Sequence, residues 1–536
     1  MKYLQPKLFS CMKTYSKEQL IKDIVAGIIV AIIALPLSIA LALASGVEPA
    51  CGIYTAIAAG FIVSFLGGSR VQIAGPTAAF ASIVAGVVAT QGMSGLIVAT
   101  IMAGIILVLM GVLKLGGLIK YIPNTITVGF TAGIAVTILL GQIKDFLGLQ
   151  YGEGVKPVEA MEKMEANFEF ISTFSWQSLL VGAVCLAILI VYPKFEKRVP
   201  PSLIAVVVGA LMVAFIPGLN EGVFTIGELY TIPEGLPKVD LGGLDFSINN
   251  MLTLLPDAVT IAVLAAIESL LSCVVADTMV DSKHNPNAEL VAQGVANIGS
   301  VLFGGIPATG AIARTAANAK NGGRTPIAGM VHAVVLLLVL LFLMPLAGLI
   351  PMPTIAAILF MVAYNMSEWK KFVYICKTAP KSDIIVLVVT FALTVIFDLV
   401  VAIAVGLIMA AVLFLKRASE VTAVREWEGD FPEGVQIYEI NGPLFFGAAD
   451  KVSEITLKGG TKSLVLRMQS VSSLDSTAMN ALITLYKQCE EAGVKLILSH
   501  VCKQPMKVMV KSGFCKMIGE ANICEHIGDA LKLAVK

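Results

Sequence analysis

Charge is what this 536-residue sequence has least of: Asp, Glu, Lys and Arg make up 14% of it, against about 25% in an ordinary soluble chain. That shortage excludes a water-facing surface over most of the chain. The formal net charge is +1 and no basic stripe with interleaved aromatics occurs, so there is no electrostatic footprint for nucleic acid. The nine cysteines (Cys11, Cys51, Cys185, Cys273, Cys376, Cys489, Cys502, Cys515, Cys524) are scattered, with no C-x-x-C pair and no histidine at ligand spacing. This excludes a disulfide framework and a Cys/His metal site, and they read as packing residues or reduced thiols. No HExxH, GxSxG or His/Asp/Cys constellation occurs. Neither an enzyme, a catalytic residue nor a cofactor is therefore expected.

What is present is apolar. Hydrophobic residues are 57% of the chain and the mean hydropathy is +0.87, which reads as an integral membrane protein. The opening stretch MKYLQPKLFSCMKTYSKEQLIKD is too long and polar for a cleaved signal peptide. Residues 1–23 are expected to be a cytoplasmic N-terminal segment, with the first span kept as the insertion signal.

A span needs ~20 predominantly apolar residues, fewer where the helix is broken and buried in protein. That rule places segments at 24–45, 50–66, 76–90, 96–115, 123–147, 176–192 and 203–216, and then at 255–276, 289–303, 311–320, 326–346, 352–364, 384–397 and 399–415. The count is fourteen in two sets of seven. Because seven is odd, the second set (255–415) must enter the membrane upside down relative to the first (24–216). An α-helical polytopic protein with a 7+7 inverted repeat is the predicted fold.

Loop charges test the count separately. With the N-terminus inside, the cytoplasmic segments carry Lys13, Lys17 and Lys22; Lys114 and Lys120; Lys194, Lys197 and Arg198; Lys320 and Arg324; Lys370 and Lys371; Lys416 and Arg417. The two longest outside loops carry Glu153, Glu159, Glu162, Glu165, Glu221, Glu228, Glu234 and Asp240. From Lys416 onward charges become frequent and the long apolar runs stop, which puts the transmembrane transport domain at 24–417. VQIYEI, SLVLRMQ and VKLILSH alternate like strands, while TAMNALITLYKQCEEA and the residues from Lys503 to Ser512 read as amphipathic helices. A small α/β domain over 418–536 follows, cytoplasmic by the same count.

Two segments are interrupted: VQIAGPTAAFASIVAG and GGIPATGAIARTAANAKNGG. Paired interruptions in two halves of a membrane protein point to a transport site. Each would start a helix at mid-membrane with unpaired N–H groups and roughly half a positive charge at its end, which attracts an anion. Pro76, Thr77, Ala78, Ala311 and Ile312 would line the gap. Arg314, in the first turn of the second half-helix, keeps its charge and can grip an oxyanion through two parallel hydrogen bonds. Glu268 lies in the apolar run IAVLAAIESLLSCVVA. A charge there costs ~2.5 to 3.5 kcal/mol, so it faces a cavity or a partner, or is protonated. It is the candidate coupling carboxylate, with Ser272 one turn on. The alternative is a structural Glu268–Arg314 ion pair that never titrates.

GSRVQIAGPTAAF, PATGAIART with AAIESLL, and VLRMQSVSSLDSTAMNAL, in that order, together resemble the SulP sulfate permease family, whose animal relatives include pendrin-like exchangers and prestin. The resemblance covers essentially the whole chain. It implies a fold shared with uracil permease, a core domain moving against a gate domain like an elevator, a homodimer, and a C-terminal STAS domain. In soluble relatives of that domain a serine of an Asp-Ser motif is phosphorylated; Asp475 and Ser476 match it. Ser476 is thus either a regulatory site or a plain helix N-cap, and the N-cap reading is favoured. The first span departs from sulfate-type members, which show Pro-Gln where Pro36 is followed by Leu37; Leu37 takes the place of the glutamine that would face the anion, which makes it a substrate-binding candidate and weakens sulfate. Sodium-coupled bicarbonate members typically have Asp at the Glu268 position and Thr at the Ile312 position. The missing hydroxyl favours a proton over sodium as coupling ion.

The function expected is secondary active transport of a small anion of sulfate or bicarbonate type. The alternatives are sodium-coupled bicarbonate transport and a non-transporting membrane sensor signalling through the STAS domain.

Overall fold

The computed structural model describes every residue except 1–3, 118–122, 153, 154, 156, 158, 197, 198, 232–234, 236–242, 398 and 430. Lys120, Lys197, Arg198, Glu153, Glu234 and Asp240, used in the loop count, lie outside the described residues. The chain divides into two compact units, Met1–Leu407 and Ile408–Lys536.

The membrane helices are α1 (Lys17–Ala44), α2 (Pro49–Leu66), α3 (Ala78–Val112), α4 (Asn124–Leu147), α5 (Trp176–Val191), α6 (Pro201–Phe215), α7 (Ile248–Val280), α8 (Pro286–Leu302), α9 (Ile312–Lys320), α10 (Ile327–Phe342), α11 (Met352–Met366), α12 (Lys381–Ile396) and α13 (Leu399–Val421). Strands β1 (Ala74–Gly75) and β2 (Thr309–Gly310) precede α3 and α9. Local chemistry sets the starts. Ser16 Oγ accepts from Gln19 N at 3.2 Å, Asn285 Oδ1 accepts from Ala288 N at 3.3 Å, and prolines open α2, α6 and α8, where a missing N–H does no harm.

α3 covers two expected segments. Their junction is one residue, Gly92, at φ 69° and ψ −176°, a conformation that favours glycine. The expected gap between 90 and 96 is therefore a sharp kink, and the break divides α3 into 78–91 and 93–112. Counted this way, the membrane helices make fourteen segments among the described residues, in the 7+7 inverted arrangement.

Seven helices among the described residues are long and apolar enough to cross a bilayer alone. The others depend on their neighbours: the 15 residues of α6 reach only ~22 Å across a ~30 Å hydrocarbon core. Two packing groups result, each drawing on both halves of the chain. In one, α3 lies against α7 and α8, and α10 against α1 and α2; in the other, α4 lies against α11 and α12, and α5 against α6 and α11. These are the core and gate domains of the transporter fold. Short helices Lys7–Met12, Ala160–Glu169 and Trp369–Thr378 occupy stretches that the sequence reading left as loop.

The second unit holds a five-stranded sheet: β3 (Ala423–Glu426), β4 (Val435–Asn441), β5 (Ser463–Ser470), β6 (Lys495–Ser499) and β7 (Ile523–Cys524), side by side in chain order. Only the β3–β4 pair is antiparallel. Alternation along β5 assigns the two faces. Leu464, Leu466 and Met468 pack with Leu482, Leu485 and Met509 of helices Ser476–Glu491 and Lys503–Lys511. Val465 turns the other way, with Ile437 and Ile497, onto Ala530 and Ala534 of the last helix. Each fully buried leucine of that core contributes about 1.5–3 kcal/mol.

Candidate functional site

The two interrupted segments meet. β1 and β2 pair antiparallel, Ala74 opposite Gly310 and Gly75 opposite Thr309, and Ala311 N donates to Ile73 O at 2.8 Å. Extended backbone at mid-membrane is tolerated only where protein satisfies it, and side chains do so here. Thr315 Oγ1 accepts from Ile73 N at 3.0 Å, and Asn318 Nδ2 donates to Val71 O at 2.9 Å. Asn297 exchanges two hydrogen bonds with the backbone of Ala308, at 2.9 and 2.8 Å.

From this ladder α3 and α9 leave with uncapped N-termini: neither Thr77 nor Ala311 makes a side-chain cap bond. The nine residues of α9 span ~14 Å, about half the ~30 Å hydrocarbon thickness. Two such ends contribute about +0.5 each. Ala78 and Ala311 are buried, as is Pro76; Thr77 is half-buried and Ile312 is 43% exposed.

Arg314 is 2% exposed, and its Nη1 and Nη2 have no hydrogen-bond partner. No carboxylate among the described residues lies within 4.0 Å of it, so the alternative of a Glu268–Arg314 ion pair is not what the structure shows. Nη1 occupies the place a side chain at Gly75 would need, next to Ala56 of α2. The guanidinium thus lies against the ladder at Gly75, on the side of α2. Gly310 is restricted the same way, because the Gln72 amide fills its side-chain position.

Glu268, half-buried, accepts from Thr77 Oγ1 through Oε2 at 2.8 Å. The acid on α7 is thereby tied to the start of α3. Ser272 is fully buried and lies 3.3 Å from Thr315 Oγ1, which directs it to α9. Leu37 is half-buried against Val181, Cys185, Ala357 and their neighbours, and so packs with gate helices.

Sequence reading missed the groups that hold the site. Glu289, wholly buried, accepts from Gly68 N and Ser69 N at 2.8 and 3.2 Å, from Gln72 Nε2 at 2.9 Å, and from Ser269 Oγ and Gln293 Nε2 at 3.3 Å each. It fixes the turn leading into β1. Asp23, also wholly buried, accepts from Thr325 Oγ1 at 2.6 Å and Arg324 N at 2.9 Å, fixing the turn that leaves α9. Tyr15 donates to it at 3.0 Å; burial, and then Asp23's charge, push the Tyr15 phenol up to about 12. His332 of α10 is wholly buried beside Gly60 and β1, with neither ring nitrogen hydrogen-bonded. The signal available was an ionisable or amide side chain inside or at the edge of an apolar run.

In the second unit the helix starts one residue earlier than the N-cap reading requires. Asp475 is the cap, accepting from Ala478 N at 2.9 Å and Phe446 N at 2.8 Å. Ser476 is the first helical residue and is exposed, which corrects the N-cap assignment.

The family model described as sulfate permease family matches residues 20–390, and that of the STAS domain matches residues 426–530. The chain belongs to the sulfate permease family. It is similar to the putative sulfate transporter YvdB of Bacillus subtilis, with 41% identity over 96% of this chain and 98% of that one. The bicarbonate transporter BicA of Picosynechococcus is 30% identical over 96% of this chain and 94% of that protein. Murine Slc26a9, solved as an anion transporter in the inward-facing state, aligns with a TM-score of 0.89 over 99% of this chain and 94% of that one. At 18% identity that last match speaks for the fold alone. Sulfate permease membership makes this chain a multi-pass membrane anion transporter with a C-terminal STAS domain.

Proposed function

We propose that the protein is a proton-coupled secondary transporter that binds a small sulfate- or bicarbonate-like anion between the N-termini of α3 and α9. The observation that carries this reading is the antiparallel meeting of the two half-helices with Arg314 buried and unpaired beside them. An isolated buried charge is costly. An anion in front of the ladder relieves that cost, and the two positive helix ends attract the same anion.

Glu268 supplies the coupling. Deprotonated, it places a negative charge beside Thr77 and opposes the anion; protonated, it removes that charge and leaves the positive potential of the helix ends and Arg314 intact. Anion and proton therefore favour each other's binding, and linkage makes the effect reciprocal. Core helices α1, α2, α3, α7, α8, α9 and α10 would carry the loaded site past the gate helices as an elevator. The loop charges favour an N-terminus and a STAS domain on the cytoplasmic side.

The test is accumulation of radiolabelled sulfate and of bicarbonate by purified protein in vesicles, with and without an imposed proton gradient, followed by competition with other small anions. Accumulation above equilibrium only when the gradient is present supports the reading. Accumulation that follows a sodium gradient and ignores pH replaces the coupling ion, and no uptake of any anion favours a sensor.

A further inference from the structure

A small pocket opens on the seam between the two packing groups, one turn along α3 from its N-terminus. Its walls are Ala81 and Ser82 of α3 on the core side and Thr137, Gly141 and Gln142 of α4 on the gate side, with Lys163 of the short helix Ala160–Glu169 across it. Ser82 stands four residues after Ala78, on the face that begins at the half-helix N-terminus. The pocket is therefore aligned with the site along α3, toward the side of the 148–175 connection.

The lysine is unusual for a helix outside the spans. Its Cδ and Nζ lie 3.6 Å, and its Cε 3.8 Å, from where a side chain on Gly141 would begin, so the lysine chain packs in van der Waals contact against α4 at Gly141. Among the described residues no carboxylate comes within 4.0 Å of Nζ. Burial pushes the ammonium below its usual range, with the charge of Glu162 opposing that shift. A desolvated, unpaired ammonium beside a serine hydroxyl and an amide is the chemistry that receives a small anion. The cavity measures ≈ 20 Å³, close to the room one water needs. An anion fits only when the seam widens, which is the motion an elevator requires.

We propose that Lys163, with Ser82 and Gln142, forms an entry subsite that gathers the transported anion at the core–gate seam before it reaches the half-helices. This rests on the anion-transport reading above, but it has a readout that does not need transport.

In the full-length protein in vesicles, Ser82→Cys reports the local potential through its rates of modification by an anionic sulfonate methanethiosulfonate and by its cationic trimethylammonium counterpart, followed at that residue by mass spectrometry. Adding Lys163→Gln is expected to lower the anionic-to-cationic rate ratio by at least about sevenfold, because one charge at ~7 Å acts oppositely on the two reagents and does so weakest at the dielectric of water. Lys163→Arg is expected to restore it. In uptake of radiolabelled sulfate or bicarbonate by protein with native Ser82, Lys163→Gln is expected to raise the half-saturating concentration severalfold with the maximal rate within about twofold, the split expected of a lost binding contact. An unchanged reagent ratio overturns the subsite whatever transport does. Absent uptake with a shifted ratio overturns the transport reading and keeps an anion-gathering site.

Discussion

Replacing Arg314 separates two ways in which a guanidinium can serve an anion. As a forward-reaching clamp it would tolerate neither lysine nor glutamine, because the paired hydrogen bonds need its planar fork. The structure tucks Nη1 against Gly75 and Ala56, and under the proposed function its charge would act from there through space. With an anion at ~6 Å and an effective dielectric near 20, one charge contributes ~2.8 kcal/mol, or about a hundredfold in affinity. Arg314→Gln should raise the half-saturating anion concentration in vesicle uptake by about that factor, and Arg314→Lys by no more than about tenfold. Stability should move the opposite way. Removing a buried, unpaired charge relieves a desolvation penalty, so the thermal midpoint of Arg314→Gln should equal or exceed that of the native protein. A lysine variant as impaired as the glutamine one, or a glutamine variant within threefold of the native protein, would refute the fixed-charge argument.

Glu268→Gln should keep measurable anion exchange but lose the response to a proton gradient; retained gradient-driven accumulation would remove Glu268 from the coupling step. Thr77→Val, which deletes the 2.8 Å bond to Glu268, should weaken coupling without abolishing it, as read from the anion accumulation ratio at a fixed pH gradient. Gly75→Ala drives a methyl into Nη1 and should destabilise by about 1–3 kcal/mol as overpacking, whereas Gly86→Ala, which meets no heavy atom within 4 Å, should be near neutral in the same thermal assay. Asp475→Ala should lower the stability of the C-terminal unit by ~1 kcal/mol through the lost cap, measured by denaturation of the full chain with a probe in that unit.

The sequence made the two breaks legible because proline and glycine interrupt apolar runs at matching places, and it exposed Glu268 and Arg314 because an ionisable residue in such a run is conspicuous. It did not show that the breaks join in a ladder. Two residues per strand are too few for any periodicity, and the pairing depends on Thr315, Asn318 and Asn297, which look like ordinary polar residues on helices. Glu289 and Asp23 were overlooked as clamps because each stands near a span end, where a charge reads as solvated. The contact of Arg314 with Gly75 was not legible, because spacing along α9 gives its turn but not its direction. In the second unit β4, β5 and β6 alternate clearly, while β3 and β7 are edge strands of 4 and 2 residues. Short edges carry little apolar pattern to read.

Diffraction from crystals soaked in an anomalously scattering anion, selenate or bromide, tests the central claim most directly. The account predicts an anomalous peak in front of the β1–β2 ladder, within hydrogen-bond reach of the backbone N–H groups of Ala78 and of Ile312 or Ala313. Peaks elsewhere in the protein with none between the two half-helix ends would contradict it.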